Sequence, residues 1–200
     1  MANIAYMRLQ RECREVATSK DIQELGIMIE IVDEQLTHLK GEIRGPPDSP
    51  YEGGRFKLDI NIPSSYPFVP PTVKFTTRVW HPNVSSQTGT ICLDILKDNW
   101  AASLTLRTVL LSIQALLCTP EPKDPQDAVV ASQYMNKQKL FTETAKFWTQ
   151  QFAHATGARN ADFTAKVAKL CEMGANETDA ISTLSCNEWD LRRATDYMFS

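Results

Sequence analysis

With 200 residues, 42% of them hydrophobic and 22% charged, the chain has apolar material for one substantial core and a second small unit. A net charge of -3, with Lys and Arg scattered along the chain, argues against a nucleic-acid binder, which needs a clustered basic face. Met1 to Val16 interleaves Arg8, Arg11, Glu12, Arg14 and Glu15 with its apolar residues, and no apolar run is long enough for a bilayer, so neither a signal peptide nor a membrane span is expected.

The cysteines Cys13, Cys92, Cys118, Cys171 and Cys186 are odd in number and contain no CxxC pair. Neither a disulfide framework nor a metal site is expected, and reduced thiols in the cytoplasm or nucleus are the economical reading. Asn3 can cap a first helix with Ala5, Leu9, Cys13 and Val16 on one face. Strands are expected over Ile27 to Val32, Leu36 to Ile43 and Arg55 to Ile62, the last alternating Phe56, Leu58, Ile60 and Ile62 with polar residues. The turn-rich Gly45 to Gly54 stretch between them implies an antiparallel meander. Prolines 63, 67, 70 and 71 exclude helix before a fourth strand, Thr72 to Thr77.

Trp80 to Trp100 has no sustained period and collects polar residues, which marks a long structured loop of the kind that carries function. Helices follow over Leu104 to Cys118, Gln126 to Tyr134 and Leu140 to Ala153, giving an α+β fold for residues 1–153. Residues 154–161 read as a linker, and residues 162–200 hold three short helical patterns: Phe163 to Cys171, Glu177 to Leu184 and Trp189 to Phe199. Within residues 1–153, Cys13 and Cys118 are expected to be packing residues.

Acyl transfer through sulfur needs an accessible thiol, an amide donor for the oxyanion and a means of deprotonating the attacking amine. Cys92 can supply the thiol, although a cysteine between Ile91 and Leu93 is by itself more often a buried small apolar residue. Its surroundings favour chemistry. His81-Pro82-Asn83, then Cys92-Leu93-Asp94, then Trp100 resembles the pattern of ubiquitin-conjugating enzymes. So do Gly45-Pro46-Pro47 to Gly54, Tyr66-Pro67-Phe68-Val69-Pro70-Pro71 and Thr105 to Leu117, so that roughly the first 150 residues are covered.

The resemblance implies an enzyme that takes ubiquitin from the activating enzyme as a thioester on Cys92 and passes it to lysine amines. It needs no cofactor, since ATP is used by the upstream enzyme. It implies that the Asn83 side chain either stabilises the oxyanion or holds the active-site loop, and that Asp124 orients the incoming lysine more than it deprotonates it. His81 and Asp94 are expected to be structural. The face that meets the activating enzyme and ubiquitin ligases, of RING type, is expected to comprise Arg8 and Arg11 of the first helix, Phe68, and Ala101 and Ala102. Ala101-Ala102-Ser103 stands where many members have a Ser-Pro-Ala type segment.

Residues 162–200 resemble a ubiquitin-associated (UBA) domain through Val167, Leu170, Met173-Gly174, Ala180, Leu184, Trp189-Asp190, Ala194 and Met198. In that family the loop after the first helix, here Met173, Gly174 and Ala175, and the end of the third, here Met198 and Phe199, contact ubiquitin. Ala175 stands where an aromatic is usual. Both resemblances together imply polyubiquitin chains linked through lysine forty-eight of ubiquitin, the linkage for proteasomal degradation. Rival readings are a cysteine hydrolase pairing Cys92 with His38, His81 or His154, and a non-catalytic ubiquitin-binding adaptor. The first would cleave ubiquitin adducts, and the second has no use for Cys92 with Asn83.

Overall fold

The computed structural model describes residues 2–200, with side chains from residue 4 onward. The architecture is α+β. Helix α1 (Ala2–Thr18) is followed by a short helix α2 (Lys20–Glu24) and by strands β1 (Met28–Ile31), β2 (His38–Arg44), β3 (Arg55–Asn61) and β4 (Thr72–Phe75). Asn3 lies within α1, and the cap expected of its side chain falls outside the described residues; α2 carries too short an apolar signal, Ile22 alone being buried, to be read from sequence.

The sheet runs β1-β2-β3-β4, all neighbours antiparallel, as the turn-rich connections demand. Its register sets Leu39 opposite Ile60 and Ile43 opposite Phe56, with Leu58 opposite Phe75 and Ile60 opposite Val73, so the strand alternation drives one face into the core. Gly41, opposite Leu58, leaves room for Leu110 of α3 (Leu106–Cys118), whose Cδ2 lies 3.4 Å from where a Cβ would stand. Thr105 caps α3, its side chain accepting from the Thr108 N–H. Helices α4 (Ala128–Asn136) and α5 (Gln138–Phe152) complete the first unit.

Three further helices, α6 (Ala161–Glu172), α7 (Glu177–Cys186) and α8 (Leu191–Phe199), are consistent with a UBA fold. Asn160, Asn176 and Asp190 cap them in turn. Trp189 lies in the turn before α8, not in a helix: it and Glu188 have φ of 61° and 57°. That turn drives the indole inward, where it stacks on Phe163 at 3.6 Å between centroids and donates Nε1–H to Thr144 Oγ1 of α5 at 2.9 Å. Trp148 of α5 donates Nε1–H to Ser185 Oγ of α7 at 2.8 Å, and Lys137 pairs with Glu188 at 2.6 Å. The C-terminal helices are thus docked on α5 through two buried indoles, each with its polar atom satisfied.

Candidate active site

The segment Trp80 to Trp100 is held rigid from both ends. Tyr51 donates its hydroxyl to the Trp80 carbonyl at 2.8 Å, and Trp80 Nε1–H donates to Gln133 Oε1 at 2.8 Å. His81 is fully buried: Nε2 donates to the Leu116 carbonyl at 2.8 Å and Nδ1 accepts from the Asn83 N–H at 3.0 Å. Those two partners fix the tautomer and leave no nitrogen for proton transfer, the structural role expected of it. Gly89, at φ 74°, closes the loop against β4. A Cβ there would stand 1.9 Å from the Phe75 carbonyl, so only glycine lets Phe75 N–H donate to the Gly89 carbonyl at 2.9 Å.

Burial pushes His81 down to about 4 from its ordinary 6.5. The folded value lies below the unfolded one, so this contribution is present above pH ~6.5 and is lost as pH falls toward 4, about 3 kcal/mol in all. Urea midpoints between pH 7 and 4 are expected to fall more steeply for the native chain than for His81→Gln.

Asn83 is 1% exposed and every polar atom of its amide is used. Oδ1 accepts from the Glu121 N–H at 2.8 Å, and Nδ2 donates to the Glu121 and Asp124 carbonyls at 3.0 Å each. Its own carbonyl accepts from the Cys92 N–H at 2.8 Å. Asn83 therefore links the Cys92 segment to the 121–124 segment. Gln126 and Asp127 N–H both donate to the Pro82 carbonyl, and Asp127, besides capping α4, accepts from Ser86 N–H and hydroxyl.

Cys92 is 8% exposed, yet the core takes its neighbour Ile91 and not the Cys92 thiol. The sulfur is hydrogen-bonded to the side chains of two exposed residues. Sγ donates to Asp124 Oδ2 at 3.5 Å, and Lys97 Nζ donates to Sγ at 3.0 Å. The structure brings the expected Cys92, Asn83 and Asp124 together and adds Lys97, which no sequence pattern marks. A 3-10 turn at Asp94–Leu96 folds Lys97 back over the sulfur, with Asp94 accepting from Ile95 N–H and the Asn99 side chain. The hydrogen bond to Cys92 holds the Lys97 ammonium above its ordinary value. The other thiols differ: Cys13 is buried and pushed up to about 11 by burial and then Glu12, whereas Cys118 is exposed and not the packing residue expected.

Of the expected partner face, Phe68 is 81% exposed and Arg11 and Ala101 are exposed, while Ala102 is half-buried. Arg8 is largely occupied within the chain, pairing with Glu12 at 2.6 Å and donating to the Leu104 carbonyl. In the C-terminal unit Met173, Gly174 and Phe199 are exposed, while Ala175 and Met198 pack partly against the core. Tyr197, 74% exposed beside them, was not singled out by the sequence pattern.

An unpaired cysteine on a rigid loop, beside a carboxylate that can hold an amine, is the arrangement of a thiol acyl carrier. The family described as ubiquitin-conjugating enzyme matches residues 8–149, and the chain belongs to that family, whose members form a thioester and transfer ubiquitin. Ubiquitin-conjugating enzyme E2 21 of Caenorhabditis elegans is 57% identical over 199 residues, covering 100% of this chain and 93% of the relative. Ubiquitin-conjugating enzyme E2 K of Homo sapiens is 52% identical over 200 residues, covering 100% of both. The structure of a Toxoplasma gondii ubiquitin conjugating enzyme E2 domain, 53% identical, matches with a TM-score of 0.67, covering 74% of this chain and 97% of that one. The expected resemblance to UBA-tailed members of the family agrees with these relatives. Like the family in general, the enzyme works with ubiquitin, the activating enzyme and ubiquitin ligases.

Proposed function

We propose that Cys92 is the residue that carries ubiquitin, that Asp124 orients the attacking lysine, and that Asn83 keeps Asp124 in place. The observation that carries this reading is the convergence of Asp124 and Lys97 on one sulfur, at 3.5 and 3.0 Å. A lysine ammonium is accepted there beside a carboxylate, which is the arrangement an acceptor amine requires before it sheds its proton. The enzyme builds chains linked through lysine forty-eight of ubiquitin for proteasomal degradation, in the cytoplasm or nucleus, with ligases of RING type and no cofactor of its own. Arg11, Phe68 and Ala101, with Arg8 and Ala102 behind them, form the face for the activating enzyme and ligases. Residues 162–200 act as a UBA domain, joined through residues 154–161 to a catalytic domain of residues 1–153, and bind ubiquitin through Met173, Gly174 and Phe199, with Ala175 and Met198 beneath.

Deleting the tail would expose Phe147 and Trp148, both buried against it, so surface substitutions test the reading better. A tethered site raises the local acceptor concentration to the order of millimolar, so Met173→Asp with Phe199→Asp is expected to slow chain growth about tenfold at micromolar ubiquitin. Chain length against time on gels reads this out, and growth at the native rate would remove the tail from the mechanism. Ubiquitin with arginine for its lysine forty-eight is expected to stop at single additions, and continued chain growth would refute the linkage.

A further inference from the structure

Glu12 is a carboxylate only 2% exposed, on the same face of α1 as Leu9, Cys13 and Val16. Oε1 accepts from Arg8 Nε at 2.6 Å, and Oε2 accepts from the Tyr66 hydroxyl at 2.7 Å and from the Leu106 N–H at 3.0 Å. Arg8 also donates Nη2 to the Leu104 carbonyl at 2.8 Å, and its guanidinium lies over the Tyr66 ring, 5.7 Å from the centroid. Trp100 Nε1–H donates to the Pro67 carbonyl at 2.8 Å, with its ring 6.0 Å from that of Tyr66.

One buried charge thus ties α1 to the turn around residues 66–68 and to the segment that enters α3. A carboxylate suits the N-terminus of α3, whose first N–H groups lack helical partners. A buried ion pair is nevertheless a poor way to gain stability, since apolar side chains of equal volume commonly do as well. What the network supplies is geometry, because the Tyr66 and Leu106 bonds to Glu12, and the Arg8 bond to the Leu104 carbonyl, each fix α1 against another segment. The same three elements present Ile4, Met7 and Arg11, Phe68 and Val69, and Ala101 to solvent.

We propose that Glu12 is a positioning residue, whose hydrogen bonds set α1, the Phe68 turn and the Ala101 loop into one docking face for the ubiquitin-activating enzyme. This rests on the reading of that face given above. Burial, and then the neighbouring Glu12 carboxylate, push the Tyr66 hydroxyl up, so that it stays a donor across the working pH range.

The test is steady-state transfer of ubiquitin from the activating enzyme, measured against the concentration of this chain, for Glu12→Gln, Tyr66→Phe and Phe68→Ala. Glutamine keeps the volume, but its amide nitrogen must face either Arg8, whose bridge from α1 to the Leu104 carbonyl then loses its partner, or both the Tyr66 hydroxyl and the Leu106 N–H, so either orientation weakens a tie between elements. Glu12→Gln is expected to raise KM about tenfold with kcat within about twofold, and Tyr66→Phe, which removes a single bond, to raise KM about threefold. Phe68→Ala is expected to raise KM, and its effect is expected to combine with that of Glu12→Gln less than multiplicatively, since both act through one face. Tyr66→Phe decides the matter if Glu12→Gln fails to fold. Should Phe68→Ala raise KM while Tyr66→Phe and a folded Glu12→Gln leave it unchanged, or lower only kcat, the positioning role is overturned and the face stands. A Phe68→Ala variant with native KM would remove the face itself.

Discussion

Cys92→Ala is expected to abolish the ubiquitin adduct that forms with activating enzyme and ATP and disappears on adding thiol reductant. Removing a nucleophile of this kind typically costs on the order of a millionfold, because no neighbouring group can take the acyl carbon in its place. Cys92→Ser is expected to hold ubiquitin as an ester that survives reductant, since a hydroxyl forms the same bond with a poorer leaving group. The geometry makes the site specific. Burial pushes the Cys13 and Cys186 thiols up to about 11, which leaves the exposed Cys118 and the half-buried Cys171 as the rivals. Neither has the Lys97 and Asp124 pair that meets the Cys92 sulfur at 3.0 and 3.5 Å. Lys97 is exposed, so it can swing away when the acyl group arrives without opening the core. A reductant-labile band that persists in Cys92→Ala and vanishes in Cys118→Ala would transfer the chemistry elsewhere.

Patterns with a short period were legible in the sequence, and those made by chain reversal were not. The alternation of Phe56, Leu58 and Ile60 revealed a strand with one buried face, and the Pro and Gly turns revealed antiparallel order, both fixed by local backbone rules. Cys92 was legible from its flanking residues, and the Asn83 backbone does bond to it directly. Lys97 was missed because a 3-10 turn, not a helical or strand repeat, returns it to the sulfur. The partners of the Asn83 amide lie 38 and 41 residues away, beyond any spacing rule. The apolar neighbours of Trp189 predict a helix, whereas its left-handed backbone ends the α7 turn and sends the indole into the interface with α5. The partners that bury Glu12, Tyr66 and Leu106, lie 54 and 94 residues away, equally beyond any local pattern.

Asn83→Ala is expected to lower both the rate of ubiquitin transfer to lysine and the melting temperature, and the joint loss is what distinguishes its two roles. A preorganised oxyanion donor lost alone costs about a hundredfold to a thousandfold in kcat and leaves the fold intact. Here both amide hydrogens already serve the Glu121 and Asp124 carbonyls, and Oδ1 serves the Glu121 N–H. Alanine would strand those three groups and free the segment that carries the Asp124 carboxylate. At about 1 kcal/mol each, the lost bonds amount to about 3 kcal/mol, or roughly 6 to 12 °C in Tm for a chain of this size. Transfer is expected to fall about a hundredfold, chiefly because the carboxylate no longer meets the amine in one place. If Asn83 acts by placing Asp124, then Asn83→Ala introduced into an Asp124→Ala chain should cost little further rate, since the group it positions is already gone. Calorimetry with single-turnover discharge to free lysine measures both quantities. An undiminished hundredfold loss in the Asp124→Ala background, at native Tm, would instead assign the amide to the oxyanion.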